Sequence, residues 1–148
     1  MREPKLLRTT LGLERQCQSE VKTDRQLYAQ ALQAERDADE AHQRARQNLD
    51  EAYASWPIGA AIRLDPEALQ RFSAWIGAQE ISVGQSSARV DQAAKEAQAA
   101  AQRLALSRAR SDILAKRAKL LRRKLARRRE ERQMSELEVI YAYRAVRS

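Results

Sequence analysis

The side chains in this sequence best suited to nucleophilic or metal chemistry are a single cysteine, Cys17, and a single histidine, His42. A thiolate and an imidazole can act as nucleophile and base, or share a zinc ion, only where they meet. On one helix their separation corresponds to about 37 Å. The sequence also has no Gly-rich phosphate loop. We therefore expect no catalytic, cofactor-binding or metal site and no enzymatic activity, with Cys17 a buried structural thiol and His42 a solvated helical residue.

An unbroken heptad pattern over residues 69–125 predicts one very long helix. Small or apolar residues recur there at alternating three- and four-residue steps, which place them in a narrow stripe on a helix. The stripe consists of Leu69, Phe72, Ile76, Gln79, Val83, Ser86, Val90, Ala93, Ala97, Ala100, Leu104, Ser107, Ser111, Leu114, Ala118, Leu121 and Leu125. With 5% aromatic residues and only 4 Gly and 3 Pro, the composition favours a coiled coil over a compact domain.

A first helix is predicted to begin just after Pro4 and to end at the sequence Trp56-Pro57-Ile58-Gly59, because Pro57 disfavours helical angles at Trp56. Its seam is predicted as Leu6, Thr10, Leu13, Cys17, Glu20, Asp24, Leu27, Ala31, Ala34, Ala38, Ala41, Ala45, Asn48 and Ala52, with Val21, Tyr28, Leu32 and Leu49 as a second stripe beside it. Asp65 is a candidate N-cap and Pro66 the first residue of the second helix.

These features predict an all-α fold in which two long helices form an antiparallel coiled-coil hairpin and the second helix is longer and overhangs. The hairpin is expected to be a single domain over residues 1–148. Helix 1 is predicted at about 5–55, the loop at about 56–65 and helix 2 at about 66–146. Pairing that starts directly at the loop places Pro4 opposite residue 117 and leaves residues from about 117 to 148 without a partner in the chain.

The net charge of +8 is concentrated in the second half of the chain. Residues 103–132 contain 13 basic side chains and only 3 acidic ones. Such a segment is either a solvated helix face or a surface for an acidic partner, and we favour the partner because self-repulsion weakens the isolated helix. Nucleic acid is less favoured, since the basic region follows the heptads and lacks interleaved aromatic residues. Four apolar residues in this unpaired part favour contact with another protein: Leu121, Leu125, Leu137 and Ile140.

Two further patterns concern the loop and the cellular location. Tyr53, Trp56, Phe72 and Trp75 cluster around the loop, where they either close the hairpin or anchor a partner. The sequence contains no apolar run long enough for a membrane span and no signal peptide, and its lone cysteine suits a reducing compartment. A soluble cytoplasmic protein is expected.

The opening Leu6-Leu7-Arg8, the restart Ala68-Leu69-Gln70-Arg71-Phe72 and the Arg-rich stretch leading into Glu136-Leu137-Glu138 resemble the FliJ/YscO family of type III secretion proteins, especially its injectisome (YscO-type) branch. The resemblance implies a non-catalytic central stalk, similar to that of rotary ATPases. It implies that one end enters the hexameric secretion ATPase and the other touches the cytoplasmic ring of the export gate. Export chaperones are further implied partners, and the expected location is the cytoplasmic face of the inner membrane, with membrane contact only through partners.

The resemblance also implies which residues make these contacts. The export-gate contacts near the hairpin tip would be Leu49, Tyr53, Phe72, Trp75, Ile76 and Val83. The ATPase contacts in the basic overhang would be Arg122, Arg123, Lys124, Arg127, Arg128, Arg129, Arg132 and Leu137. The sequence does not distinguish a virulence system from a flagellar one. Two other functions also remain open: a nucleic-acid-binding basic coiled coil and a self-assembling structural coiled coil.

Overall fold

The computed structural model describes residues 2–55 and 65–147, and these residues form two long α-helices. Helix α1 spans Arg2–Ala54 and helix α2 spans Pro66–Arg147. The predicted all-α hairpin with a longer second helix is confirmed. The predicted break at Trp56-Pro57-Ile58-Gly59 lies outside the described residues.

The helix starts follow the proline positions. Helix α1 begins at Arg2, earlier than the predicted start just after Pro4. Pro4 lies inside the first turn, where the missing N–H of proline breaks no helical hydrogen bond. At the start of α2, Oδ1 of Asp65 accepts a hydrogen bond from the backbone N–H of Glu67 at 3.1 Å. The predicted N-cap and the predicted first helical residue, Pro66, are therefore both confirmed.

Contacts divide the described chain into two units, in each of which a segment of α1 pairs with a segment of α2. The loop-proximal unit comprises residues 25–55 and 65–103, and the terminal unit comprises residues 2–24 and 104–147. In the loop-proximal unit His42 contacts Ser86 and Tyr53 contacts Glu80. Tyr53 comes after His42 on α1, whereas its partner Glu80 comes before Ser86 on α2. The two helices therefore pair in an antiparallel direction.

The heptad stripe predicted for α2 is confirmed as the face that packs on α1. From Phe72 to Leu125 every predicted seam residue is buried or half-buried, and only Leu69 is exposed. The residues between them are mostly exposed, as expected for a helix with one narrow inward stripe.

The predicted seam of α1 was wrong at every second position, where the observed seam residue comes one residue later in the sequence. The predicted positions Leu6, Leu13, Glu20, Leu27, Ala34, Ala41 and Asn48 are exposed. The observed seam is Glu3, Leu7, Thr10, Glu14, Cys17, Val21, Asp24, Tyr28, Ala31, Glu35, Ala38, His42, Ala45, Leu49 and Ala52. Leucines occupy two adjacent rows of α1, so apolar content alone did not decide which row faces α2.

Small residues occupy most of the fully buried positions between the helices. The buried apolar side chains are Ala45, Ala52, Ile76, Ala93, Ala97, Leu104 and Ala118. Thr10, Ser86 and Ser107 are buried as well, and each hydroxyl donates to a carbonyl of its own helix at 2.7–3.1 Å. Because these hydroxyls are satisfied locally, they can occupy the seam without a desolvation penalty for an unpaired polar group.

The overhang begins later on α2 than predicted. Glu3 meets Arg128 rather than a residue near position 117, and Ala118 is buried against α1. The prediction assumed pairing from the first turn of α2, whereas Tyr53, at the end of α1, contacts Glu80. In both contacts the partner on α2 lies about ten residues later in the sequence than the prediction placed it.

Candidate interaction surfaces

The end of α1 and the early turns of α2 form an open groove of about 580 Å³, here called the tip groove. Its lining residues are Tyr53, Ser73, Ile76, Gly77 and Glu80. The Tyr53 hydroxyl donates a hydrogen bond to Oε1 of Glu80 at 2.5 Å. This bond crosses from α1 to α2 and fixes the ring of Tyr53 at the edge of the groove.

The pKa of Tyr53 is raised above its ordinary value of 10.0, first by the hydrogen bond to Glu80, then by desolvation and by the charge of Glu80. A tyrosine donates this bond only while it is protonated. The cross-helix bond is therefore present at neutral pH and is lost as the pH rises through the pKa of Tyr53.

We expect Glu80→Ala to lower the pKa of Tyr53 towards its ordinary value, because the substitution removes both the acceptor and the negative charge. Titration of tyrosinate absorbance measures this, with Tyr53→Phe identifying the contribution of Tyr53. A matched Glu96→Ala variant, which removes an exposed glutamate elsewhere on α2, should leave the titration unchanged. An unaltered Tyr53 titration in Glu80→Ala would contradict the assignment.

The predicted gate-contact residues occupy different environments. Ile76 is buried in the seam, and Leu49, Phe72 and Val83 are half-buried there. Tyr53 and Trp75 are exposed, with 48% and 44% of their surface accessible. The Phe72 and Trp75 rings pack against each other with centroids 5.7 Å apart. Trp56 lies outside the described residues, so the aromatic cluster predicted around the loop is described only in part.

The prediction that His42 is a solvated helical residue was wrong. His42 is half-buried in the α1 seam, and its Nδ1 lies 2.8 Å from Oγ of Ser86 on α2. The Ser86 hydroxyl also donates a hydrogen bond to the carbonyl of Val83. The imidazole nitrogen and the serine hydroxyl thus form a polar contact between the two helices.

Cys17 is half-buried at the seam position predicted for it. Among the described residues no group of acidic, cysteine or histidine side chains has the arrangement of a metal site.

In the terminal unit, the start of α1 and the basic part of α2 form a groove of about 520 Å³, here called the basic groove. Its lining residues are Pro4, Leu7, Arg8, Leu11, Leu125, Arg128, Arg129 and Arg132. Leu121 and Leu125 are half-buried, so these two residues pack within the chain. The prediction that they are free to contact another protein was therefore wrong.

One ion pair ties the basic segment to α1. An Nη atom of Arg128 lies 2.9 Å from Oε2 of Glu3, whose side chain is 19% exposed. That oxygen is buried and makes no hydrogen bond of good geometry within the described residues, so the guanidinium charge is what balances it. Because the Arg128 side chain is more than half exposed, solvent screens the pair and its contribution to stability is modest.

The other predicted ATPase contacts are exposed. Arg122, Arg123, Lys124, Arg127, Arg129 and Arg132 all reach solvent on α2. Beyond them every residue from 133 to 147 is exposed, and we call this segment the tail. The tail is rich in large apolar residues: Met134, Leu137, Val139, Ile140, Tyr141, Tyr143 and Val146. An exposed apolar helix of this kind is typical of a segment that binds another protein.

Three further aliphatic residues on α2 are exposed and were not among the predicted contact residues: Leu106, Ile113 and Leu120. Their spacing of seven residues is visible in the sequence, but they lie off the seam. Basic residues alternate with them along the helix, so their row does not form a continuous apolar heptad pattern.

Within the described part of the chain, no helix is both long enough and apolar enough to traverse a bilayer. No protein-family model, no curated protein and no solved structure matches this chain.

Proposed function

We propose that this chain is the non-catalytic central stalk of a type III secretion system, linking the hexameric secretion ATPase to the export gate and supporting protein export. The observation that carries the proposal is the helical hairpin whose second helix continues past Arg132 into an exposed apolar tail. The resemblance of Leu6-Leu7-Arg8 and of the stretch before Glu136-Leu137-Glu138 to the FliJ/YscO family supplies the identity of the partners.

In this proposal the tail and the basic side chains before it contact the ATPase. An apolar helix with Leu137 and Ile140 exposed can enter a ring lined by apolar side chains, and arginines near it can meet acidic groups around that opening. The ion pair with Glu3 holds Arg128 beside the start of α1, so the residues left free for the ATPase are Arg122, Arg123, Lys124, Arg127, Arg129 and Arg132.

The residues beside the loop contact the export gate in this proposal. Tyr53 and Trp75 are the exposed members of the set and would touch the gate directly. Leu49, Phe72, Ile76 and Val83 lie in the seam and would keep the two helices in register beneath them. The protein would then act at the cytoplasmic face of the inner membrane, with export chaperones as further partners and membrane contact only through the gate.

The test is the effect of the purified protein on the secretion ATPase of the same organism. We expect it to raise both ATP turnover and the hexamer fraction, because a stalk inside the ring favours the assembled state. Turnover is followed by phosphate release, and assembly by analytical gel filtration. Unchanged turnover and assembly with both proteins folded would contradict the proposal.

The exposed tail favours one second candidate, a self-assembling structural coiled coil. Two tails could bury their apolar residues against each other, and sedimentation would then show a mass that rises with concentration. A monomer at all concentrations would exclude this candidate and leave the stalk proposal intact.

A further inference from the structure

A second heptad stripe runs along α2 in the terminal unit, on a face that does not pack on α1. Leu106, Ile113 and Leu120 are 59%, 64% and 57% exposed, although they are large and aliphatic. Basic residues alternate with them at the same three- and four-residue steps. The complete stripe is Leu106, Arg110, Ile113, Arg117, Leu120 and Lys124. We call it the aliphatic–basic stripe.

The side of the hairpin on which this stripe lies follows from the basic groove. Pro4 and Leu11 each come directly after a seam residue of α1, and they share the groove with Arg129, which comes directly after Arg128. Residues that follow these seam positions therefore meet on one side of the helix pair. The seam positions that alternate with these include Leu7 and Glu14 on α1 and Ala118 on α2. Residues that come directly before these alternate seam positions lie on the opposite side of the helix pair.

That opposite side includes Leu6 and Leu13 of α1, which precede the seam residues Leu7 and Glu14. It includes Arg117 of α2, which precedes Ala118. Leu6 and Leu13 are nearly half exposed, whereas Leu11 on the groove side is half-buried. The exposed Leu6 and Leu13 of α1 thus lie on the same side of the helix pair as Arg117.

We propose that the aliphatic–basic stripe binds an acidic amphipathic helix of a partner protein. Arg110, Arg117 and Lys124 are exposed, and within the described residues none of them forms an ion pair. No acidic residue belongs to the stripe. A helix with aliphatic residues at heptad spacing and Glu or Asp beside them would cover the three aliphatic side chains and neutralise the three cations at once.

The width of the stripe favours a helix over a lipid surface. One aliphatic side chain every two turns gives a narrow line, which is the geometry of helix pairing. A helix that lies in a bilayer interface presents a broad apolar face, commonly with Trp or Phe. The aliphatic–basic stripe contains no aromatic residue.

The experiment uses the full-length protein and a labelled synthetic helix with leucines at heptad spacing and flanking glutamates, with fluorescence anisotropy as the readout. We expect saturable binding that weakens as salt is added, because the charged contacts are exposed. Ile113→Ser and Arg117→Glu should each weaken it about tenfold or more. The same peptide with lysines in place of glutamates should not bind.

Two matched variants control for general effects on α2. Ile81 is 63% exposed, almost the same as Ile113, but lies in the loop-proximal unit. Arg89 precedes the seam residue Val90 just as Arg117 precedes Ala118. Ile81→Ser and Arg89→Glu should therefore leave binding unchanged, and circular dichroism should show the same helix content in all four variants.

Four results would overturn the proposal. They are absence of binding up to about 1 mM peptide, equal binding of the lysine peptide, equal losses in the stripe and control variants, and binding that no variant changes. If anionic phosphatidylserine vesicles bind to the protein and the acidic peptide does not, the stripe is assigned to a lipid surface instead. Self-association abolished by Ile113→Ser would assign it to a second copy of this chain. Lys124 belongs both to the stripe and to the proposed ATPase contacts, whereas the tested residues Ile113 and Arg117 belong to the stripe alone. Either proposal can therefore fail alone.

Discussion

Ala97→Glu is expected to lower the free energy of unfolding by about 2–4 kcal/mol, because it places a charge in the thin core between the helices. Ala97 is 5% exposed and belongs to the α2 seam. The contact of His42 with Ser86 sets the local register, which places Ala97 level with Ala31 in the α1 seam. A glutamate there finds no cation on the seam and lies near Glu35, which is itself half-buried.

The matched control is Ala99→Glu, two residues further on at an exposed position of the same helix. Both variants change the net charge and the helix propensity equally, so any difference between them reports the seam. Unfolding in urea, followed by far-ultraviolet circular dichroism, measures both. Equal stability of the two variants would contradict the placement of Ala97 in the interface.

The second large effect is expected from the double variant Leu137→Ser, Ile140→Ser in the full-length chain. Both side chains are about half exposed in the tail. If the tail enters the ATPase ring, they become buried there, and their removal should weaken ATPase binding at least tenfold. The concentration of protein that gives half-maximal stimulation of ATP turnover would rise by the same factor.

Trp75→Ser is the control for this effect. Trp75 is similarly exposed but lies near the loop, where the proposed contact is with the export gate. It should leave ATPase stimulation unchanged and weaken gate binding instead. Loss of stimulation in Trp75→Ser, with full stimulation in the tail variant, would reverse the proposed orientation of the stalk.

The sequence by itself determined the two helices, the start of α2 and the inward face of α2. Asp65 and Pro66 start α2 where capping chemistry requires it. The row from Phe72 to Leu125 is unambiguous, because on α2 no other row carries small or apolar residues over so many heptads. Local hydrogen bonding and periodicity were sufficient for these features.

Only the tertiary structure decided the inward face of α1 and the pairing register. Leu6 and Leu7 lie in adjacent rows, and the burial of Leu7 rather than Leu6 depends on how α1 is rotated against α2. His42 lies in the seam for the same reason, with the hydroxyl of Ser86 on α2 as its partner. The register depends on where the two seams first meet, and a repeat of small residues fits many registers almost equally well. Contacts between distant residues such as Glu3 and Arg128 select one of them, which no local pattern in the sequence contains.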